Sequence, residues 1–346
     1  MGIIIDKRPV FSVLMANRNY GHFIEEALDS ILQQTFPARE IEIIVIDDGS
    51  TDDSREKLKK YEDRVTCIYK ENGGQAAAFN RGVAVSKGEF VAFLDADDYW
   101  HSQKLQQVFE EFRKSDSVDF VYHYMAVINN DHHLIDWYIY PVPSSEEGTQ
   151  SGKRYLNSYL SGTLPWFAPT SGMTIRAECL KKAIPWPEDL RAPDVYLHYV
   201  LPFYTRELRL IKKPLGYYRL HGNNISGGNL LTVRKLSHAI NNIVMVEKHV
   251  EAHAERLGYD SSLIKKRIEA EVAMYKILIH GLEKRKVRAL KDALLFKDFL
   301  PTDGFLYRVL RKSAMVVNIL LPPAVTLWIQ RKYRSILYLV RWELGK

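Results

Sequence analysis

Three carboxylates fall within four positions, at Asp95, Asp97 and Asp98, directly after the apolar run Phe90-Val91-Ala92-Phe93-Leu94. Hard oxygen donors in that arrangement suit Mg²⁺ or Mn²⁺, and such an ion can carry a diphosphate. A second acidic pair, Asp47 and Asp48, ends the run Ile41-Glu42-Ile43-Ile44-Val45-Ile46. A third polar turn, Ala16-Asn17-Arg18-Asn19-Tyr20-Gly21, follows Phe11-Ser12-Val13-Leu14-Met15. Taken singly, each turn reads equally well as a helix cap or a bend. Together they suggest a nucleotide site. Asp47 or Asp48 could accept the imide N–H of a uracil, with the phosphates on a metal. Gly73-Gly74 permit a tight turn at a helix start and direct Gln75 toward the same place.

The elements that must position these groups alternate in type. Short apolar runs near 11–15, 41–46, 65–69 and 90–94 read as strands. Helical spacing covers Tyr20 to Gln34 (Phe23, Ala27, Ile31), a start at Thr51-Asp52-Asp53, and Gly73 to about Val85. Alternating strands and helices predict a Rossmann-like α/β domain with a mixed, mostly parallel sheet. In such a sheet ligands bind beyond the carboxyl ends of the strands, where all three turns lie. Residues 1–98 are expected to form the nucleotide half of one domain. Residues 99–229, irregular and rich in Tyr, Trp, Pro and Gly, form its acceptor half. Residues 230–346 form a helical C-terminal region with stripes at Leu236, Ile240, Ile243, Val250 and at Ile264, Ile268, Val272, Tyr275, Ile279.

The motifs resemble the family 2 inverting glycosyltransferases of GT-A fold. The matching segments are 12–21, 43–52, Asn72-Gly73-Gly74-Gln75-Ala76 with Phe79-Asn80, and Gly88 to Asp98. The resemblance implies a nucleotide-sugar donor, most often a UDP-sugar, and Mn²⁺ or Mg²⁺. It implies that Asp48, Asn17 and the backbone of Ala16 hold the nucleoside, that Asp95 reaches the ribose, and that Asp97 binds the metal. Arg18, Asp47, Gln75, Asn80 and Ala96 complete the expected substrate contacts. Ala16, Arg18 and Phe79 stand where many relatives carry Pro, Tyr and Arg.

The same resemblance supplies the second half of the site. Ser171 to Arg176 is similar to the family's glycine-bearing segment, Pro187 to Leu197 to its acidic motif, and Tyr218-Arg219-Leu220-His221 to its Tyr-Arg-x-His. Asp194 is thereby the expected catalytic base, with Asp189 and Glu188 as alternatives, and His221 joins Asp97 at the metal or diphosphate. Asp194 after Pro193 also fits a helix N-cap, and one residue can do both. A single inverting displacement is implied. The Gln-x-x-Arg-Trp motif of processive synthases is absent after Asp194, so one sugar per encounter is expected. The products expected are cell-surface polysaccharide, glycolipid or another glycoconjugate. An inactive nucleotide-sugar-binding or membrane-associated scaffold of the same fold is the alternative. A nucleotidyltransferase would favour a glycine-rich, Lys/Arg-bearing triphosphate loop, which the first turn is not.

The chain has 346 residues and a net charge of +6, ordinary for a globular protein. Two cysteines, Cys67 and Cys179, give no disulfide framework. Residues 1–10 lack a signal-peptide core, so a cytoplasmic location is expected. From Phe305 onward Arg and Lys recur among Trp328, Tyr333, Tyr338 and Trp342, with Glu343 the only acid. Such a segment suits a helix lying at an anionic membrane surface, on the inner face of the cell membrane. The other reading is a helical hairpin docking on the protein or on a second copy in a homo-oligomer. The expected acceptor is a glycan or a lipid-linked acceptor, the latter if the basic segment holds the enzyme at an anionic bilayer. The apolar and aromatic content argues against nucleic acid as partner.

Overall fold

The computed structural model describes residues 8–136, 149–154, 157, 169–188, 190, 192–222, 224 and 232–283. The elements in chain order are β1 (Phe11–Asn17), α1 (Gly21–Leu32), β2 (Ile41–Asp48), α2 (Ser54–Leu58), β3 (Thr66–Lys70), α3 (Gln75–Val85), β4 (Phe90–Phe93), β5 (Tyr99–Trp100), α4 (Lys104–Arg113), β6 (Val118–Ile128), β7 (Leu134–Asp136), β8 (Thr149–Ser151), β9 (Met173–Arg176), α5 (Ala177–Ala183), α6 (Pro193–Val200), β10 (Glu207–Arg219), α7 (Val233–Arg256) and α8 (Ser262–Leu282).

The strands form one sheet in the order β3-β2-β1-β4-β9-β6-β10-β5, with β7 on β6 and β8 on β10. Strands β3, β2, β1 and β4 run parallel, Asn17 opposite Asp47 and Leu14 opposite Phe93. This is the expected nucleotide half. Alternation along β1 sends Phe11, Val13 and Met15 into a core with Ile24, Leu28 and Ile31 of α1 and Leu105, Val108 and Phe112 of α4. Phe11 meets Phe36 edge-to-face at 5.1 Å between ring centroids. Burying a side chain of that size contributes roughly 1.5–3 kcal/mol. The opposite face of β1 and β2 carries Leu14 and Ile46, which pack beneath α3 at Gly82.

The described part of residues 99–229 is more regular than its composition suggests. Strand β9 runs antiparallel between β4 and β6, and β6 pairs in parallel with β10, which is 13 residues long. Ten of the eleven residues of β6 are buried, so no polar alternation marks it as a strand. The register of β10 shifts between Ile211 and Gly216, where Pro214 removes a ladder donor.

The chain divides into two compact units; the first runs to His221 apart from two short segments, and the second holds those segments and the chain from Gly222 onward. Within the second unit α7 and α8 pack on one another, burying Leu236, Ile243, Val246 and Val250 on the first helix and Ile268, Ala270 and Ile277 on the second. Among the described residues no helix is long and apolar enough to cross a membrane. The basic segment 305–346 lies outside the described residues.

Candidate active site

The carboxyl ends of β1, β2 and β4 share one sheet edge, and the acids stand there because each strand runs out into a polar turn. Gly49, with φ of +78°, makes the turn after Asp47-Asp48. Its position against the Asn72 backbone leaves no room for a side chain. Asp47 and Asp48 are both buried, on opposite faces of β2, and have different partners. Asp47 accepts from Asn17 Nδ2 (3.0 Å), the Ser50 amide (3.1 Å) and Arg55 Nε (2.8 Å). Ser50 Oγ also takes the Asn17 Nδ2 and Asn19 backbone donors. Asn17 and Asp47 thus tie the first two turns together.

Asp48 accepts from Lys70 Nζ (2.5 Å) at the end of β3 and from the amides of Gly73 (2.8 Å) and Gly74 (2.7 Å). Gly74 has φ of +90°, and Gln75 begins α3 immediately after it. Gln75 Nε2 donates to Asp95 Oδ1 at 2.7 Å. The structure thereby links Asp48, Gln75 and Asp95 in sequence along one side of the edge.

The Asp95 turn closes with the Asp98 amide donating to Asp95 O. Ala96 is buried within it. Asp97 Oδ2 faces His221 Nε2 at 2.9 Å. The His221 ring lies 5.2 Å from Phe23 and 5.8 Å from Tyr20. Burial, with Asp97 and then Asp194 nearby, pushes the Asp95 carboxyl well above the usual carboxylate range. The Tyr20 phenol is raised by its burial and by Asp97, Asp95 and Asp98.

Asp194 sits in the first turn of α6, where its Oδ1 accepts the Val195 amide at 2.9 Å. It is not the N-cap that the spacing suggested: Ala192 holds that position, and Asp194 lies inside the helix after Pro193. Burial nonetheless pushes its carboxyl up to about 6, against the pull of its backbone N–H partners. Its charge is among those that raise the Asp95 carboxyl, so the two acids lie near one another although 99 residues apart in the chain. The segment ahead of it is held by Trp186. The Trp186 amide donates to Asn80 Oδ1 (2.9 Å), and Asn80 Nδ2 donates back to Trp186 O (2.8 Å). Phe79, buried, packs on Phe93 and Trp186. Asn80, expected at the nucleotide, here clamps the chain ahead of Asp194.

Arg18 is exposed and Ala16 half-buried at the end of β1. Glu188 is exposed, and Asp189 lies outside the described residues. Sequence reasoning missed Lys70, although it ends β3 at the same edge as Asp48. It also missed Ser171 as a hydrogen-bond partner of Asp95 and Asp98; only the packing of distant segments brings these together. Among the described residues there is no group of three or more His, Cys, Asp and Glu able to hold a metal. Asp97 and His221 supply one oxygen and one nitrogen, and an ion there would need donor phosphates or water as well.

A sheet of this order, with acids at the carboxyl ends of its parallel strands and a carboxylate facing them from a short helix, is the GT-A type of nucleotide-sugar-binding fold. Solved structures agree. S. aureus TarS 1–349 in complex with UDP-GlcNAc has a TM-score of 0.58 at 21% identity, covering 94% of this chain and 91% of that one. The mannosyltransferase PcManGT from Pyrobaculum calidifontis, in complex with GDP-Man and Mn²⁺, has a TM-score of 0.53 at 20% identity, covering 93% and 88%. The family described as glycosyl transferase family 2 matches over residues 12–175. A glycosyltransferase of Nostoc sp. (strain PCC 7120), itself named as uncharacterised, is 34% identical over 256 residues, 72% of this chain and 76% of the relative. The chain belongs to glycosyl transferase family 2 and is a glycosyltransferase.

Proposed function

We propose that the protein is a metal-dependent, inverting, non-processive glycosyltransferase. It moves a sugar from a UDP-sugar to a hydroxyl of a glycan or lipid-linked acceptor in cell-surface polysaccharide or glycoconjugate synthesis. The observation that carries this reading is the gathering of Asp48, Asp95 and the Asp97–His221 pair at one sheet edge, with the buried Asp194 carboxyl raised to about 6 and near enough to act on Asp95. Such a carboxyl is ionised at neutral pH yet basic enough to take a proton as it moves.

In this reading Asp48 accepts the base N–H while Lys70 and the Gly73 and Gly74 amides keep its carboxylate in place. Asp95, oriented by Gln75, accepts a ribose hydroxyl. Asp97 and His221 would hold Mn²⁺ or Mg²⁺. The two face one another at 2.9 Å, and donor phosphates or water would supply the ion's remaining ligands. When bound, the ion neutralises charge on the departing diphosphate. Asp194 takes the acceptor hydroxyl proton as that oxygen attacks the sugar C1. The C1–oxygen bond to the diphosphate breaks on the opposite face, its electron pair leaving with the diphosphate. One displacement inverts the anomeric centre and needs no enzyme nucleophile.

The base is open to a direct test, since the two solved neighbours carry different donors, UDP-GlcNAc and GDP-Man. Calorimetry with UDP, UDP-sugars and GDP-Man, with and without Mn²⁺, is expected to give metal-dependent binding of UDP or a UDP-sugar. That binding should vanish in Asp97→Ala. Absence of binding across the panel would overturn the reading, and a preference for GDP-Man would overturn its base assignment.

A further inference from the structure

We propose that Asp98 is a positioning residue that, through Ser171 and Arg219, fixes Asp97 and His221 at their separation for the metal–diphosphate. The inference rests on the function proposed above, in which those two residues hold the ion.

Asp97 and Asp98 are chain neighbours with different surroundings. Asp97 faces His221. Asp98 is 2% exposed, and both its oxygens accept hydrogen bonds from other elements. Ser171 Oγ donates to Oδ2 at 2.6 Å, and the Arg219 amide donates to Oδ1 at 3.0 Å. Ser171, fully buried, also accepts the Asp95 amide on its Oγ (3.1 Å) and takes Trp100 Nε1–H on its carbonyl (2.8 Å). One hydroxyl thus spans both ends of the Asp95–Asp98 turn.

The other arm runs through β10. Arg219 Nε donates to the Asp97 carbonyl at 3.1 Å, and its guanidinium lies between Phe23 (4.9 Å) and Tyr99 (5.5 Å). Two residues later the chain presents His221. The Arg219 backbone is therefore fastened to Asp98 and its side chain to Asp97, while His221 follows on the same strand end. With its oxygens so occupied, Asp98 is set to hold the two ends of the pair in place and not to ligate the ion itself. Partners behind metal ligands commonly set metal affinity, and their removal costs roughly 10–100-fold.

The test compares wild type with Ser171→Ala, Asp98→Ala, the double variant and Asp98→Asn, titrating UDP (GDP if the wild type prefers it) with and without Mn²⁺. Ser171→Ala and Asp98→Ala should each lose roughly 10–100-fold of the Mn²⁺-dependent gain in affinity. Metal-free nucleotide binding should stay at the wild-type value. The double variant should lose less than the two single losses added together, because both singles remove the shared Ser171–Asp98 bond. Asp98→Asn keeps the acceptor for the Arg219 amide and should lose less than Asp98→Ala, a comparison that holds even if the alanine variant does not fold. A Ser171→Ala variant with the full wild-type gain beside an Asp98→Ala variant with none would overturn the proposal and make Asp98 a ligand. An equal fall in metal-free binding would also overturn it, as general loosening. A wild type with no Mn²⁺-dependent gain would overturn the metal-dependent reading itself.

Discussion

Asp194 combines two demands at one residue. Its Oδ1 accepts the neighbouring Val195 amide in the first turn of α6, and burial raises its carboxyl to about 6. The unfolded carboxyl ionises near pH 4, so between those values the folded state holds the extra proton. The wild type should lose stability from this group as pH rises from about 4 through 6. Asp194→Asn keeps the acceptor oxygen and lacks that loss, so thermal unfolding should show it gaining on wild type at pH 7 and not at pH 4. Its transfer rate should fall ~10²–10⁴-fold with donor binding retained. In the wild type kcat/KM should climb with pH and level off above about 6. Lys104 is the second titratable residue in an unusual place. It is fully buried, its Nζ 3.1 Å from Thr174 Oγ1 and 3.5 Å from the centre of the Trp100 ring. Burial lowers its pKa well below the usual range. The folded form sheds a proton the unfolded chain keeps, so its contribution improves as pH rises toward 10. Lys104→Met should raise the melting temperature by a few degrees, more at pH 6 than at pH 9. An unchanged melting temperature at both would contradict this.

At the scale of elements, the short connection before α6 matters more than the helix itself. Its hold on the sheet is the two-way amide pair between Asn80 of α3 and the Trp186 backbone, backed by Phe79 on Trp186. Asn80→Ala leaves a backbone donor and acceptor without their partners and should destabilise the protein by about 1–3 kcal/mol. The same variant should lower kcat while nucleotide affinity stays within about twofold, because α3 still presents Gln75 to Asp95. A large loss of nucleotide affinity in a calorimetric titration would instead return Asn80 to the donor site. Strand β2 shows the same economy. Its last two residues send Asp47 to the Asn17–Ser50 turn and Asp48 to the start of α3, so one strand end serves both faces.

For the whole molecule, the segment 305–346 offers the prediction that bears on where the enzyme works. Its Arg, Lys, Trp and Tyr content is that of an interfacial anchor on anionic lipid. Deleting it should release the protein from phosphatidylserine-containing vesicles in a flotation assay and leave soluble-donor binding intact. Unchanged flotation would assign the segment to protein contacts.

The sequence by itself determined the donor half. Strand runs, glycine turns and clustered acids are local signals, and parallel pairing of adjacent βα units leaves little choice about which ends of β1, β2 and β4 meet. It also pointed to Asp97, Asp194 and His221, though only through resemblance. Strand β6 was illegible because burial on both faces erased its alternation, and β10 because Pro214 and the register shift break its pattern. The partners of Asp98 were hidden for a further reason. Ser171 is 73 residues away and Arg219 is 121, and hydrogen bonds at such separations leave no periodic trace in the chain. Only the antiparallel insertion of β9 beside β4 and the placement of β10 bring them to the acidic turn, where long-range strand pairing decides what local propensity cannot.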